Sequence, residues 1–144
     1  MRKFVSAVLV LAVLFSMICT PISAQTQEST YEDGQITPRY TYISSINAGL
    51  TISTLGLATC SGSIILGNSH PSTITVNLQQ YVQGSWVTIE SSSKSFTGNG
   101  TKKYVDQWYV YSGHSYRNLV EVEIFDSNGN SIEYETVISP TKLY

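Results

Sequence analysis

The sequence predicts an all-β protein, an antiparallel β-sandwich of about seven strands that follows a secretory signal peptide. From Arg39 onward, Tyr, Val, Ile, Thr and Ser dominate, and Gly and Asn interrupt the chain at short intervals. No stretch keeps a convincing helical period. Short alternating strands at this spacing are typical of sandwiches and barrels. A chain of 144 residues suggests one such domain.

The first segment predicts export. Met1-Arg2-Lys3 is basic, residues 4–18 are an apolar run, and Pro21-Ile22-Ser23-Ala24 supplies a small residue at the expected cleavage point. The run is short for a membrane span, which needs roughly 20 apolar residues. We therefore expect a signal peptide over residues 1–24, a secreted product that is either free or held at the cell surface, and no stable membrane insertion after cleavage.

The composition of the remaining chain limits its partners. Residues 25–38 are polar and end in Pro38, which predicts a flexible leader before a sandwich domain over residues 39–144. Loss of Arg2 and Lys3 would leave 6 basic and 10 acidic residues, a net charge of about −4. This charge argues against a nucleic-acid partner and does not favour docking on anionic lipid. Cys19 would leave with the signal, so Cys60 would have no internal disulfide partner.

Alternation assigns the strands and their faces. Seven strands are predicted: 40–53, broken near Asn47-Ala48-Gly49, then 57–66, 72–81, 85–92, 103–111, 116–125 and 131–139. Side chains two residues apart share a face. Three sets of apolar residues are therefore expected to point inward: Ala58, Cys60, Ile64 and Leu66; Ile74, Val76 and Leu78; and Val120, Val122 and Ile124. Glu121 and Glu123 are expected to point outward.

The segment "SGHSYRNLVEVEIFD" resembles the tyrosine corner of immunoglobulin-like and fibronectin-III-like sandwiches, with Tyr116 as the tyrosine. Cys60 stands where an immunoglobulin domain carries its first core cysteine, and Asn118 replaces the second. The resemblance is therefore to disulfide-free sandwiches. The phrases "YISSINAGLTIS", "ATCSGSI", "VNLQQYVQGSWVTI" and "YVYSGHSYR" are similar to a group of small exported proteins of Gram-positive bacteria, clostridia especially. These motifs are architectural, so the resemblance implies no functional residues.

The segment "VEVEIFDSNGNSIEYET" permits two interpretations. Asp126, Asn128 and Asn130 match the first three ligand positions of an EF-hand calcium loop. Ser131 stands where that loop needs Gly, and Val137 where it needs Glu. The flanking segments alternate as strands do, so a hairpin explains the same residues better.

A hairpin with the three-residue loop 127–129 would place Gly129 in the left-handed conformation. Asp126 would then face Asn130, and Ile124 would face Ile132. The same register would pair carboxylates on the outer face, Glu123 with Glu133 and Glu121 with Glu135. Like charges directly opposite destabilise a sheet. A cation, a basic partner or Arg117 would relieve this acidic patch, and a solvated face that deters edge pairing is the alternative interpretation.

The sequence supplies no catalytic set. It contains no Gly-x-Ser-x-Gly elbow, no Ser/His/Asp arrangement and no phosphate-binding loop. Cys60 lies on a predicted core face, where a thiol is inert. His70 and His114 fall in different predicted loops, without further metal ligands. We expect no enzyme, no cofactor and no metal.

Aromatic residues are the candidates for ligand binding. Trp108 and Tyr109 are neighbours on one strand, so some large rings must be exposed. Five rings are candidates for stacking on a sugar: Tyr81, Trp86, Trp108, Tyr109 and Tyr111. The alternative is that they cap the core and strengthen cross-strand pairs. The expected function is an extracellular module that binds an envelope glycan, another polysaccharide or a protein. The second hypothesis is a secreted structural or effector protein (matrix component, inhibitor or toxin-like) that acts through protein contacts.

Overall fold

Eight β-strands and their connecting turns make up residues 41–144, the part of the chain that this computed structural model describes. The predicted signal peptide (1–24) and leader (25–38) lie outside the described residues. The strands are β1 (Ile43–Ile52), β2 (Leu57–Leu66), β3 (Ser72–Val82), β4 (Ser85–Phe96), β5 (Gly100–Tyr109), β6 (Ser115–Phe125), β7 (Ser131–Ile138) and β8 (Lys142–Leu143).

The strands form two antiparallel sheets, and the all-β prediction is confirmed. The three-stranded sheet has the order β1-β2-β5. The five-stranded sheet has the order β4-β3-β6-β7, and β8 pairs with the start of β6. The chain passes from one sheet to the other between β2 and β3, between β4 and β5, and between β5 and β6. We call the side of each sheet that faces the other sheet its inner face, and the opposite side its outer face.

Alternating apolar residues build the core between the inner faces. All ten residues predicted to point inward are at most 2% exposed, and Tyr116, Leu50 and Ile43 join them. Each fully buried aliphatic side chain contributes about 1.5–3 kcal/mol relative to an exposed one. Gly62 lies where the sheets come closest, since a Cβ there would be 2.8 Å from side-chain carbons of Ile74 and Val120.

Several predicted boundaries are wrong. The first strand is not broken near Ala48, because β1 pairs continuously with β2 from Ser45 to Ile52 and its only irregularity lies between Ile43 and Ser45. The fourth and fifth strands meet in a short turn, since pairing extends to Phe96 in β4 and begins at Gly100 in β5. The Ser-rich end of β4 has no apolar pattern to reveal it. The two-residue β8 was not predicted.

The β3–β4 and β6–β7 hairpin turns use left-handed backbone. Gln83 and Gly84 have φ values of 48° and 89°, and Val82 pairs with Ser85 across them. Two consecutive positive φ values are typical of the type I′ turn, whose twist matches that of paired strands. In the β6–β7 hairpin Gly129 has a φ of 84°. There the N–H of Gly129 donates to the carbonyl of Asp126, and the N–H of Asp126 donates to the carbonyl of Asn130. The three-residue loop is confirmed.

The predicted register beyond that loop is wrong. A bulge in β7 leaves Ile132 unpaired opposite the Ile124–Phe125 step of β6 and shifts the pairing by one residue, so Phe125 faces Ser131 and Ile124 faces Glu133. Ile132 thereby turns outward and is 37% exposed. The predicted carboxylate pairs do not form, because Glu123 faces Tyr134 and Glu121 faces Thr136. The edge strand β7 tolerates an outward Ile132 and inward carboxylates, because its inner face is only half covered.

Two polar side chains tie the sheets and loops together. Asn118, on the inner face of β6, is fully buried, and its Nδ2 donates to the carbonyls of Gly49 and Ser61 in the facing sheet, both at 3.0 Å. The hydroxyl of Tyr116 donates to the carbonyl of Tyr111 at 2.8 Å, which fixes the connection between β5 and β6.

Candidate functional site

The five aromatic candidates lie on different faces and form no single row. Tyr81 and Trp86 face each other across the β3–β4 hairpin, with ring centroids 5.2 Å apart. Trp108 packs against the core from the inner face of β5. Tyr109 lies on the outer face of the same strand and is 77% exposed, and Tyr111 lies in the following loop and is 84% exposed. The expectation that some of these rings are exposed is confirmed, because Trp108 and Tyr109 point to opposite faces of β5.

Trp86 is not an open stacking platform. The guanidinium carbon of Arg117 lies 4.3 Å from the centre of its ring, a cation–π contact. The Nε of Arg117 also donates to Oε1 of Gln79 at 2.7 Å, and Gln79 in turn donates to Thr88. Arg117 therefore covers one face of the indole ring.

The four predicted patch carboxylates are divided between the two faces of the five-stranded sheet. Glu121 and Glu123 lie on the outer face, as expected. Glu133 and Glu135 instead share the inner face, opposite buried Ile124 and Val122. Glu133 accepts hydrogen bonds from the backbone N–H groups of Thr41 and Tyr42, at 3.0 and 2.7 Å. The continuous acidic patch expected on the outer face does not form.

A shallow pit of about 150 Å³ opens on the outer face of the five-stranded sheet. We call it the outer pit, and its lining residues are Thr73, Thr75, Glu121, Glu123 and Tyr134. They come from three adjacent strands, because Thr73 pairs with Glu123, Thr75 pairs with Glu121, and Glu123 pairs with Tyr134. The outer pit thus combines two hydroxyls, two carboxylates and one half-exposed phenol ring.

Hydrogen bonds hold one side of the outer pit rigid. The hydroxyl of Tyr134 donates to Glu121, and Nδ2 of Asn77 donates to the same carboxylate at 2.8 Å. The bond to Glu121, together with partial burial, raises the pKa of Tyr134 to about 12. The hydroxyl of Ser91 fixes Asn77 in turn. Within residues 41–144 no hydrogen bond holds the carboxylate of Glu123, so its oxygens are available to a ligand.

The other chemically active side chains do not assemble into a site. Cys60 is a free, fully buried thiol whose pKa is raised to about 12, chiefly by burial and further by Asp106. Hydrogen bonds from Ser92 first, then from the backbone of Gln107, lower the pKa of Asp106. His70 packs on the ring of Tyr42 and His114 on that of Tyr116. Among the described residues no three His, Cys, Asp or Glu side chains lie close enough to hold a metal ion.

Sequence reasoning missed three of the five residues of the outer pit. Thr75 lies between the inward residues Ile74 and Val76, so alternation predicts an outward side chain there, as it does for Glu121 and Glu123 in the sixth strand. The missing information was that β3 and β6 are neighbours in the sheet, which alternation within a strand does not contain. Tyr134 was missed for a different reason, since the shifted register of β7 turns it to the outer face.

Comparison with known proteins gives no family. No family model matches the chain, and no curated protein matches it. In residues 41–144 there is no helix with the length and apolar character of a membrane span.

Proposed function

We propose that this chain is an exported, non-enzymatic binding module that takes a sugar ring of an envelope glycan into the outer pit. The observation that carries the proposal is the composition of the outer pit itself. Carboxylates accept hydrogen bonds from pairs of sugar hydroxyls, threonine hydroxyls both donate and accept, and a tyrosine ring offers an apolar face to a sugar ring. A volume of about 150 Å³ suits one ring of a longer chain rather than a whole oligosaccharide.

The arrangement of the lining residues supports binding rather than catalysis. Glu121 is held by two donors and is preorganised as an acceptor. Glu123 lies beside it, and no nucleophile with a base is present in the outer pit. Open access along the sheet would let a polymer continue beyond the bound ring. Export is supported by the sequence of residues 1–24.

The fold type that we propose is the immunoglobulin-like, fibronectin-III-like sandwich. Its support is the strand order, with β1, β2 and β5 in one sheet and β4, β3, β6 and β7 in the other. The hydrogen bond from Tyr116 to a carbonyl five residues upstream has the form of a tyrosine corner. The likeness to small exported clostridial-type proteins belongs to the same proposal. This architecture hosts many functions, so the function rests on the outer pit.

The test is binding of residues 25–144 to insoluble polysaccharides and bacterial cell walls by cosedimentation. Soluble fragments of any polymer that binds would then be titrated against tryptophan fluorescence, because Trp86 lies on the same outer face. Glu123→Gln should lower the affinity about tenfold or more, since a charged acceptor is replaced by a neutral amide. This substitution disturbs no hydrogen bond among the described residues.

The matched control is Glu135→Gln, which makes the same change on the inner face of the same sheet. We expect it to leave the affinity unchanged. Equal loss in both variants would indicate a net-charge effect and would contradict the outer pit as the site. Absence of binding to every polysaccharide and wall preparation would contradict the glycan proposal.

A protein partner is the second candidate, and one observation favours it. Glu121 and Glu123 form a paired anionic surface that would suit a lysine or arginine side chain of another extracellular protein. Such binding would weaken steeply with added salt, whereas binding to a neutral glycan would not. Capture of a basic protein from the secreted proteome, lost in Glu123→Gln and in high salt, would support this candidate over the glycan.

A further inference from the structure

Each of the two sheets ends in two edge strands: β1 and β5 in one, β4 and β7 in the other. An edge strand presents unpaired backbone N–H and C=O groups and is a template for pairing with another chain. Proteins block such pairing with bulges and with charged side chains that point inward. The four edges therefore differ in how strongly they resist a partner.

Three of the four edges carry two charged side chains on the inner face, opposite core residues of the neighbouring strand. These inward charges are Lys102 and Asp106 in β5, Glu90 and Lys94 in β4, and Glu133 and Glu135 in β7. Pairing irregularities in β4 and β7 add a second obstacle. A strand added at any of these edges would remove water from these charged side chains, which opposes pairing.

The remaining edge, β1, has neither obstacle between Ser45 and Ile52. Its inner face is apolar, and its outer face carries only Ser45, Asn47, Gly49 and Thr51. It belongs to a stretch, residues 40–89, that contains no Asp, Glu, Lys or Arg. Among residues 41–144, eight regular residues of β1 thus form an uncharged edge with no neighbouring strand.

We propose that β1 pairs antiparallel with β1 of a second copy, which joins two three-stranded sheets into one sheet of six strands. The register that we propose places Gly49 opposite its own symmetry mate. Ala48 then faces Leu50 of the other copy and Ile46 faces Ile52, apolar to apolar. Asn47 faces Thr51 on the outer face. Both faces match, as a two-fold interface requires.

The absence of charge along β1 favours a second copy of β1 as the partner strand. A charged peptide would find no complementary group along residues 40–89, so β1 favours an uncharged strand. The partner strand with the same apolar inner face and small polar outer face is β1 itself. Side chains on the outer face are small, so a second strand can approach without a clash.

The test is the mass of residues 25–144 in solution, measured over a wide concentration range by sedimentation equilibrium; these residues include the whole core. We expect a reversible monomer–dimer equilibrium. Asn47→Lys combined with Thr51→Lys places like charges opposite each other twice in the dimer and should raise its Kd about tenfold or more. Both positions are exposed, so the monomer should stay folded.

The matched control is Thr59→Lys with Ser63→Lys. These residues pair with Thr51 and Asn47 on the same outer face, but they lie in β2, one strand away from the edge. The control should leave the Kd within about twofold of the parent value. Asn47→Cys with Thr51→Cys adds a test of register: the two cysteines are too far apart along one strand to bridge, so oxidation should link two copies.

Three results would overturn the proposal. The first is a monomer at every concentration. The second is a dimer weakened equally by both lysine pairs, which would locate the contact elsewhere. The third is a chain that stays monomeric but captures an extended uncharged peptide at β1, which would make a different protein the occupant.

Discussion

At the scale of single residues, Asn118 is the polar group on which the packing of the two sheets most depends. It is fully buried, and its amide donates to one carbonyl of β1 and one of β2. Its backbone N–H donates to the hydroxyl of Ser139 at 2.9 Å. A buried donor of this kind both satisfies backbone carbonyls and fixes the relative position of the facing strands.

Asn118→Asp should destabilise the protein by about 3 kcal/mol or more at neutral pH. The substitution replaces two donated hydrogen bonds with a buried carboxylate that faces two carbonyl oxygens. Burial would raise the pKa of the new carboxyl above its unfolded value, so the loss should shrink as pH falls and the group takes up a proton. Urea unfolding at pH 7 and near pH 4 measures both effects.

Asn99→Asp is the control for Asn118→Asp, because it makes the same chemical change at an exposed position in the turn between β4 and β5, away from the edge of β1. Its effect should stay within about 0.5 kcal/mol. A similarly small loss in Asn118→Asp would show that the cross-sheet hydrogen bonds contribute little to stability.

At the scale of strands, the β6–β7 hairpin separates what alternation can predict from what it cannot. The loop was predictable, because Gly129 and the Asp126–Asn130 pair favour one turn type. The register was not, because it depends on a bulge whose only signature is an apolar residue, Ile132, that turns outward on an edge strand. Exposing Ile132 costs little free energy on an edge strand. Matching Ile124 with Ile132 was therefore a poor guide to the register between β6 and β7.

The pKa of the Tyr134 phenol depends directly on the register between β6 and β7. Its hydrogen bond to Glu121 exists only because the bulge turns Tyr134 outward, and that bond is the main cause of its raised pKa of about 12. The stabilisation is therefore present below pH 10, the ordinary tyrosine pKa, and is lost as pH rises through about 12. A difference titration of phenolate absorbance between the parent and Tyr134→Phe isolates this group.

Glu121→Gln should lower the pKa of Tyr134 towards 10. Glu135→Gln changes the same hairpin on its inner face and should leave that pKa near its parent value. An identical midpoint in the parent and in Glu121→Gln would contradict the observed pairing of β6 with β7.

At the scale of the whole molecule, the sequence predicts which side of each strand is buried better than it predicts which strands lie next to each other. Alternation identified seven of the eight strands, and the ten core residues that it named in β2, β3 and β6 are buried, because burial between two sheets is a property that each strand records by itself. The outer pit and the unprotected edge of β1 depend on which strands lie side by side. That order arises from crossings between sheets, which leave no periodic signal in the chain.

The sandwich should also open only as a unit, and Cys60 provides the probe. It lies between the sheets with no exposed surface, and burial raises its pKa to about 12. In residues 25–144 it is the sole cysteine. A thiol reagent that reacts slowly compared with refolding at pH 8 should therefore label the native protein only through global unfolding, at a rate that rises with urea in step with the unfolding equilibrium constant.

The added cysteine of Ser93→Cys, on the exposed outer face of β4, should react at once and gives the reference rate for an open thiol. Asn118→Asp should accelerate the labelling of Cys60 by the factor that its loss of stability implies, if the two sheets separate in one step. Labelling of Cys60 that is fast without urea, or insensitive to Asn118→Asp, would mean that the three-stranded sheet detaches locally. In that case β1, with its uncharged edge, would separate from the five-stranded sheet together with β2 and β5.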